Sequence, residues 1–235
     1  MDIPTGPKKS VFGLSNNQLK IIAMLSMLAD HVGMILLPKV AILRIIGRLA
    51  FPIFAFMIAE GCAHTRNKTK YLLQMAAVAL VCQIAYAVAM GSLFQCVMVS
   101  FLLSSLTIFS VEHFRKKRDL LSFAGAAAMV LAVVGMTLIA PEYLGHRGFA
   151  VDYGFWGVTL PVAVYFIPKR WGKYAAAAVI LALLSYGTGS RQWFCLLAIP
   201  LLMLYNGRRG KWNLKYLFYL FYPAHLGILY LLSFL

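Results

Sequence analysis

The chain has 235 residues, of which 62% are hydrophobic and only 12% charged, with a mean hydropathy of +0.80. Soluble domains are about 45–50% apolar and about 25% charged, so a soluble enzyme, a secreted disulfide scaffold and a disordered tail are excluded. The net charge of +15, from 22 Lys and Arg against 7 Asp and Glu, would suggest nucleic acid in a soluble protein; here the cations sit between apolar runs, as in membrane proteins.

The apolar runs approach the length of a bilayer-spanning helix, which predicts an all-α polytopic membrane protein rather than a barrel. A polar segment, residues 1–17, comes first. It lacks a signal peptide's cleavage site, and the apolar run after it carries an Asp-His pair, so the first helix is expected to stay in place. Nine membrane helices follow. They span 18–37, 42–63, 71–90, 93–111, 120–140, 149–167, 174–186, 193–205 and 214–235. The seventh and eighth are short enough to be tilted, re-entrant or interfacial.

This count separates the cations. Lys8, Lys9, Lys20, Arg66, Lys68, Lys70, the Arg115–Arg118 run and the later Lys169, Arg170, Lys173, Arg208, Arg209, Lys211 and Lys215 fall on one side. Lys39, Arg44, Arg48, Arg147 and Arg191 fall on the other. The positive-inside rule then puts the N-terminus in the cytoplasm and the C-terminus outside. Linkers and internal repeats are lacking, so residues 1–235 read as one domain. The four cysteines form no CxxC pair and read as thiols at lipid depth rather than metal ligands. The five histidines show no metal-ligand spacing either.

Ionisable side chains at membrane depth are costly and therefore point to function. In the first helix, His31 lies 11 residues beyond Lys20, about 16 Å of rise and close to three full turns, so the two share a face. A buried neutral imidazole is the form a general base needs. Asp30 points about 100° away, toward a neighbouring helix. In the second helix Arg44 and Arg48 share a face, and Pro52 frees the Arg48 carbonyl and kinks the helix. Arg48 either meets substrate or simply pairs with Asp30, while Arg44 snorkels. Glu60 ends that helix beside His64, Arg66 and Lys68; this is a ligand-binding surface or an ordinary helix end. Asp152 and Tyr153 begin the sixth helix after an external loop, where they form an acceptor site or a solvated turn. The last helix carries Tyr216, Tyr219, Tyr222, Pro223 and His225. His225 lies ten residues past Lys215, about 15 Å deep, which matches His31.

The segments LKIIAMLSMLADHVG, RLAFPIFAFMIAEGCAHTRNKTKYL, NGRRG and YLFYLFYPAHLGILYLL resemble the TraX family, from about Leu19 to Leu232. Its founding member is associated with N-terminal acetylation of F-pilin. The Lys20–His31 spacing is also similar to the first helix of acyltransferase family three and of heparan-α-glucosaminide N-acetyltransferase. The Tyr219, Tyr222, His225 pattern is similar to a Tyr-x-x-Tyr-x-x-His helix of acyltransferase family three. From Phe94 to Leu120 the chain departs from the TraX-like pattern.

The resemblance implies a multi-pass protein of a bacterial-type cytoplasmic (inner) membrane that takes acetyl-CoA as donor and needs no metal. His31 would be the general base. Arg48, Tyr222 or His225 would stabilise the tetrahedral intermediate, with Asp30 beside them. Lys20, Arg66, Lys68, Arg208 and Arg209 would bind the donor's phosphates and arm. Asp152, Tyr153 and Glu60 would hold the acceptor, which is a peptide N-terminus, an amino sugar or hydroxyl, or an exported small molecule. Two other readings compete. A small proton-coupled transporter or flippase would use the same His, Asp and Arg residues as a relay. A non-enzymatic subunit of a secretion or conjugation assembly would gain little from so many buried polar groups.

Overall fold

Ser15 starts the first helix, α1 (Asn16–Ile35). Its Oγ accepts the Gln18 N–H, and the Gln18 Oε1 accepts the Ser15 N–H at 2.8 Å, a reciprocal capping box. The next two free amides are also used, because Asn16 and Asn17 donate to the carbonyls of Arg208 and Arg209 at 2.8 and 3.1 Å. Leu14 and Tyr205 pair as a short parallel bridge, and Asn206 Nδ2 donates to the Gly13 carbonyl. The NGRRG run is thus a clasp on the start of α1. Gly210 within it has φ +96° and packs on Asn17 and Ser15, a conformation in which glycine carries no Cβ penalty. In this computed structural model the described residues are 12–90, 92–210 and 215–234. Lys8, Lys9, Lys211 and the side chains of Tyr216 and Tyr219 lie outside them.

The second predicted span forms two helices, α2 (Ala41–Gly47) and α3 (Ala50–His64). Arg48 and Leu49 make tight turns to Ile45 and Ile46. Pro52 therefore sits in the first turn of α3, where its missing N–H costs nothing. The expected kink is local: Arg48 and Leu49 keep right-handed backbone angles and join α2 to α3 through 3₁₀-type bonds, so Ala41–His64 remains one continuous stretch. Next come α4 (Lys68–Met90) and α5 (Val97–Lys117). Asn67 caps α4 by accepting the Lys70 N–H at 2.8 Å.

The sequence places the start of the fourth span at Leu93 and of the sixth at Phe149; the structure starts them at Val97 and Gly154. The reason is mutual pairing. Gln95 and Val151 form a parallel bridge, with Gln95 N donating to the Ala150 carbonyl and Asp152 N to the Gln95 carbonyl. Both stretches stay extended to make those bonds. At its far end α5 runs past Val111 to Lys117, where Glu112 bonds Lys68, Lys116 and the Tyr165 hydroxyl.

α6 (Leu120–Val134) is capped by Asp119, which accepts the Ser122 N–H at 2.7 Å. That bond holds the Asp119 carboxyl below the usual carboxylate range. A π turn, Gly135–Ile139, leads into α7 (Ala140–Leu144). Then follow α8 (Gly154–Phe166), α9 (Arg170–Thr188), a 3₁₀ run over Ser190–Leu197, α10 (Ala198–Met203) and α11 (Lys215–Leu232). Counted by continuous stretches, the described residues contain the nine helical segments expected.

α3 lies at the centre. Its Ile53, Phe56 and Met57 are buried against Leu19 of α1, Leu181 of α9 and Leu202 of α10. α3 also packs on α8, and α8 on α5. The serines of α5 allow that approach: Ser104 Oγ donates to the Val158 carbonyl at 2.8 Å, and Ser100 Oγ to the Asp152 carbonyl at 2.7 Å. α11 packs between α1 and α4, and α6 lies at the edge against α5. All four cysteines are unpaired and buried.

The outside is apolar. Leu73, Leu80, Leu121, Leu131 and Leu220 are among many large side chains more than half exposed, which water does not tolerate over such an area. Four spans, Asn16–Ile35, Ala41–His64, Val97–Lys117 and Leu120–Arg147, are long and apolar enough to cross a bilayer. This is a membrane protein. A test of the α1 start is Ser15→Ala, which removes the capping box and is expected to cost about 1 kcal/mol. Ser15→Asp keeps an acceptor and should lose less, read by thermal unfolding in detergent.

Candidate functional site

Asp30 sits on α1 one turn before Met34 and points at the neighbouring α2, as the 100° offset from His31 requires. A lone carboxylate among apolar side chains needs partners. Arg48 Nη2 reaches both of its oxygens at 2.6 Å, and Arg44 Nη1 reaches Oδ2 at 2.9 Å and the Asp30 carbonyl at 3.1 Å. Arg44 is therefore a second partner of Asp30 and not a side chain that snorkels away. Arg48 is further tied by Nε to the Arg44 carbonyl at 3.3 Å and by Nη1 to Gln192 Oε1 at 3.0 Å.

The approach of α1 and α2 depends on small residues. A Cβ at Gly47 would run into the Asp30 carboxyl, and one at Gly33 would stand 2.8 Å from the Leu43 Cβ. The Gln192 orientation follows from Arg48, a pure donor that must meet the amide oxygen. This leaves Gln192 Nε2 buried without a hydrogen bond among the described residues.

His31 and His225 meet. The His225 Nε2 lies 3.0 Å from the His31 Nδ1, with ring centroids 4.9 Å apart. The His31 Nδ1 is also 3.0 Å from the Met27 carbonyl, and the His225 Nδ1 is 2.7 Å from the Phe221 carbonyl. Phe221 stacks flat on the His225 ring at 4.7 Å, and Tyr222 meets it edge-on. The equal depth counted along the two helices is thus a direct contact.

His31, Tyr222 and the Asp30 cluster border one cavity of about 630 Å³. Lys20 and Arg209 stand at one end of its wall with Asn16, Asn17 and Phe218, and the Lys20 Nζ lies 5.2 Å over the Phe218 ring. Asp30, His31, Arg44, Arg48, Asp152 and Gln192 belong to the wall about 16 Å further along α1. Aromatic rings line the space between. Tyr153 is one of them, stacked on Phe51 at 3.8 Å. Its φ is +59°, a strained conformation for an aromatic residue, and such strain gathers at functional sites. Asp152 makes no ion pair among the described residues but lies within electrostatic reach of Arg48.

Of the residues singled out from sequence, Lys20, Asp30, His31, Arg48, Asp152, Tyr153, Arg209 and Tyr222 share this wall. His225 stands behind His31. Glu60, Arg66, Lys68 and Arg208 lie outside the wall. Glu60 faces Lys173 at 3.4 Å and the Tyr205 hydroxyl at 3.3 Å, and Lys68 is held by Glu112 at 2.6 Å. The Arg208 backbone belongs to the clasp on α1. Sequence reasoning missed Gln192, Asn16, Asn17 and Tyr86 as wall residues. The signal for Gln192 was its place in the polar run TGSRQ between two apolar stretches.

The chain matches the family described as TraX protein over residues 15–233. It is 29% identical over 242 residues to a probable fimbrial assembly protein, FimC of serogroup H1, from Dichelobacter nodosus; the match covers 90% of this chain and 93% of that protein. It is 38% identical over 55 residues to an uncharacterised protein of Rickettsia prowazekii (strain Madrid E), covering 23% of this chain and 22% of that one. No solved structure matches it.

The Asp30 pairs make a sharp prediction. Asp30→Ala leaves two guanidinium groups without their buried partner and is expected to cost about 3–5 kcal/mol. Lys116→Ala breaks an ion pair whose lysine side chain is 69% exposed and should cost no more than about 1 kcal/mol. Denaturation midpoints in detergent compare the two directly.

Proposed function

This chain belongs to the TraX family, and we propose that it is a membrane-embedded acetyltransferase that moves an acetyl group from cytoplasmic acetyl-CoA to an amine or hydroxyl acceptor. One observation carries the reading: a single cavity connects Lys20 and Arg209 to His31. An anionic donor needs cations where it enters and a neutral base where it reacts. The two ends of this cavity provide that order.

In this reading the clasp end faces the cytoplasm of a bacterial-type inner membrane, and all nine helical segments serve the bilayer. The donor's phosphates rest at Lys20 and Arg209, and its thioester reaches His31. The acceptor enters from the far side past Asp152 and Tyr153. His31 takes the acceptor proton as the acceptor attacks the thioester carbonyl. Arg48 and the Tyr222 hydroxyl are placed in the same wall to stabilise the oxyanion. The proton then leaves with the thiolate as CoA thiol. The probable fimbrial assembly role of the Dichelobacter relative makes the N-terminal amine of a pilus subunit one acceptor to try. Amino sugars and exported small molecules are the others.

A proton-coupled transporter is the second reading, and the contact of two titratable imidazoles at membrane depth, His31 and His225, is the observation that favours it. Release of CoA thiol separates the two. Purified protein should release one thiol for each acceptor acetylated. His31→Ala should abolish release while binding acetyl-CoA as before. Lys20→Ala should raise the KM for acetyl-CoA about tenfold, the loss of one charge-assisted contact, with little change in kcat. Folded wild type that binds no acetyl-CoA, measured by calorimetry against CoA and ATP, would count against the acetyltransferase.

A further inference from the structure

The partners of the two histidines determine where their hydrogens lie. The Phe221 carbonyl can only accept, so the His225 nitrogen 2.7 Å from it, Nδ1, carries a hydrogen. A neutral ring has one N–H, so the His225 Nε2 is a bare lone pair. That lone pair faces the His31 Nδ1 at 3.0 Å, and so does the Met27 carbonyl at the same distance. Two acceptors around one nitrogen require it to be the donor. The His31 Nδ1 therefore holds the hydrogen, and its Nε2 is the bare nitrogen, on the ring edge turned away from His225. His31 belongs to the cavity wall and His225 stands behind it.

We infer that His225 is a positioning residue: it holds the His31 ring as the Nδ1–H tautomer, so that Nε2 is the nitrogen presented to the cavity. The helix positions support this. α11 packs on α1, the His225 ring is buried between Phe221 and Tyr222, and its only free acceptor is spent on His31. The arrangement serves an acyl transfer directly. The acceptor N–H or O–H gives its proton to the His31 Nε2 as the new bond to the acyl carbon forms and the carbon–sulfur bond breaks. The resulting imidazolium keeps its Nδ1–H on the His225 Nε2, and the Nε2 proton passes to the thiolate. His225 begins and ends with the same hydrogen. The tautomer follows from the geometry of two neutral buried rings, whereas its use in acyl transfer rests on the proposed acetyltransferase activity.

The test is ¹⁵N NMR of the full chain labelled at histidine in lipid nanodiscs, with His31→Gln used to assign the His31 pair of signals. A protonated and an unprotonated ring nitrogen resonate in separate ranges, so the tautomer is read without any assay of activity. The expected wild-type result is a protonated Nδ1 and a bare Nε2 on His31. In His225→Phe the His31 population should move toward the Nε2–H form. In His225→Gln, whose side-chain oxygen can accept, the Nδ1–H form should be largely retained. With an acceptor in hand, kcat should fall at least tenfold in His225→Phe and recover in part in His225→Gln. KM for acetyl-CoA should stay unchanged in both.

A wild-type His31 protonated at Nε2 would overturn the assignment. An unchanged His31 tautomer in folded His225→Phe would overturn the role of His225 and leave it with the Met27 carbonyl. The expected tautomers in a protein that transfers no acetyl group would leave the positioning intact and reject the acetyltransferase instead.

Discussion

The Asp30 carboxylate is the constraint on which the rest of the site depends. Two oxygens among apolar side chains must be neutralised and hydrogen-bonded, or the charge cannot stay. Two guanidinium groups from one neighbouring helix do this. Their demand sets the spacing of α1 and α2, and Gly47 and Gly33 are small because that spacing leaves no room for a Cβ. It also explains the tight turn after Gly47. Arg48 turns inward to reach Asp30 and Gln192, and Pro52 would otherwise leave the Arg48 carbonyl without a donor at depth. The tight turn there gives α3 a first turn that accommodates the proline.

With α1 held at that end, its other end is held by the clasp. The amides of Asn16 and Asn17 are spent on the Arg208 and Arg209 carbonyls, so this helix start does not offer free N–H groups to an anion, although such a site is common. Any anion bound there meets side-chain cations instead, chiefly Lys20 and Arg209 of the wall. One helix thus carries the cation and the histidine at a fixed separation, and two distant parts of the chain, 204–210 and α11, hold it in place.

Much of this was readable in the sequence because depth along a helix is simply residue number times rise. Counting inward from Lys20 and from Lys215 put His31 and His225 at one level, and the helical angle turned Asp30 toward another helix. Depth leaves azimuth open, however. It could not say that the two rings touch, that Arg44 joins Arg48 on one carboxylate, or that Glu60 turns toward Lys173 and Tyr205. The late starts of α5 and α8 were unreadable for a related reason. They arise from a backbone bridge between Gln95 and Val151, and apolar periodicity carries no trace of such pairing. Gln192 was missed because a glutamine in a polar run beside a membrane end usually faces water, and its long-range bond to Arg48 is what gives it a place in the wall.

The state of these polar groups bears on what the cavity does. A proton relay needs side chains that exchange partners as the proton moves. Around Asp30 the partners are fixed. Arg48 uses Nε, Nη1 and Nη2 on the Arg44 carbonyl, Gln192 and Asp30, and Arg44 uses Nη1 on both the carboxylate and the carbonyl of Asp30. Arginine does not give up its proton at all. That cluster is a scaffold whose charge can stabilise a neighbour without moving. The histidine pair is different: with the inferred tautomers two of its four nitrogens lack a hydrogen, and one of these, the His31 Nε2, belongs to the ring at the cavity wall. Fixed charge beside a single poised base is the division of labour that acyl transfer uses, and it is a poor basis for a chain of hops.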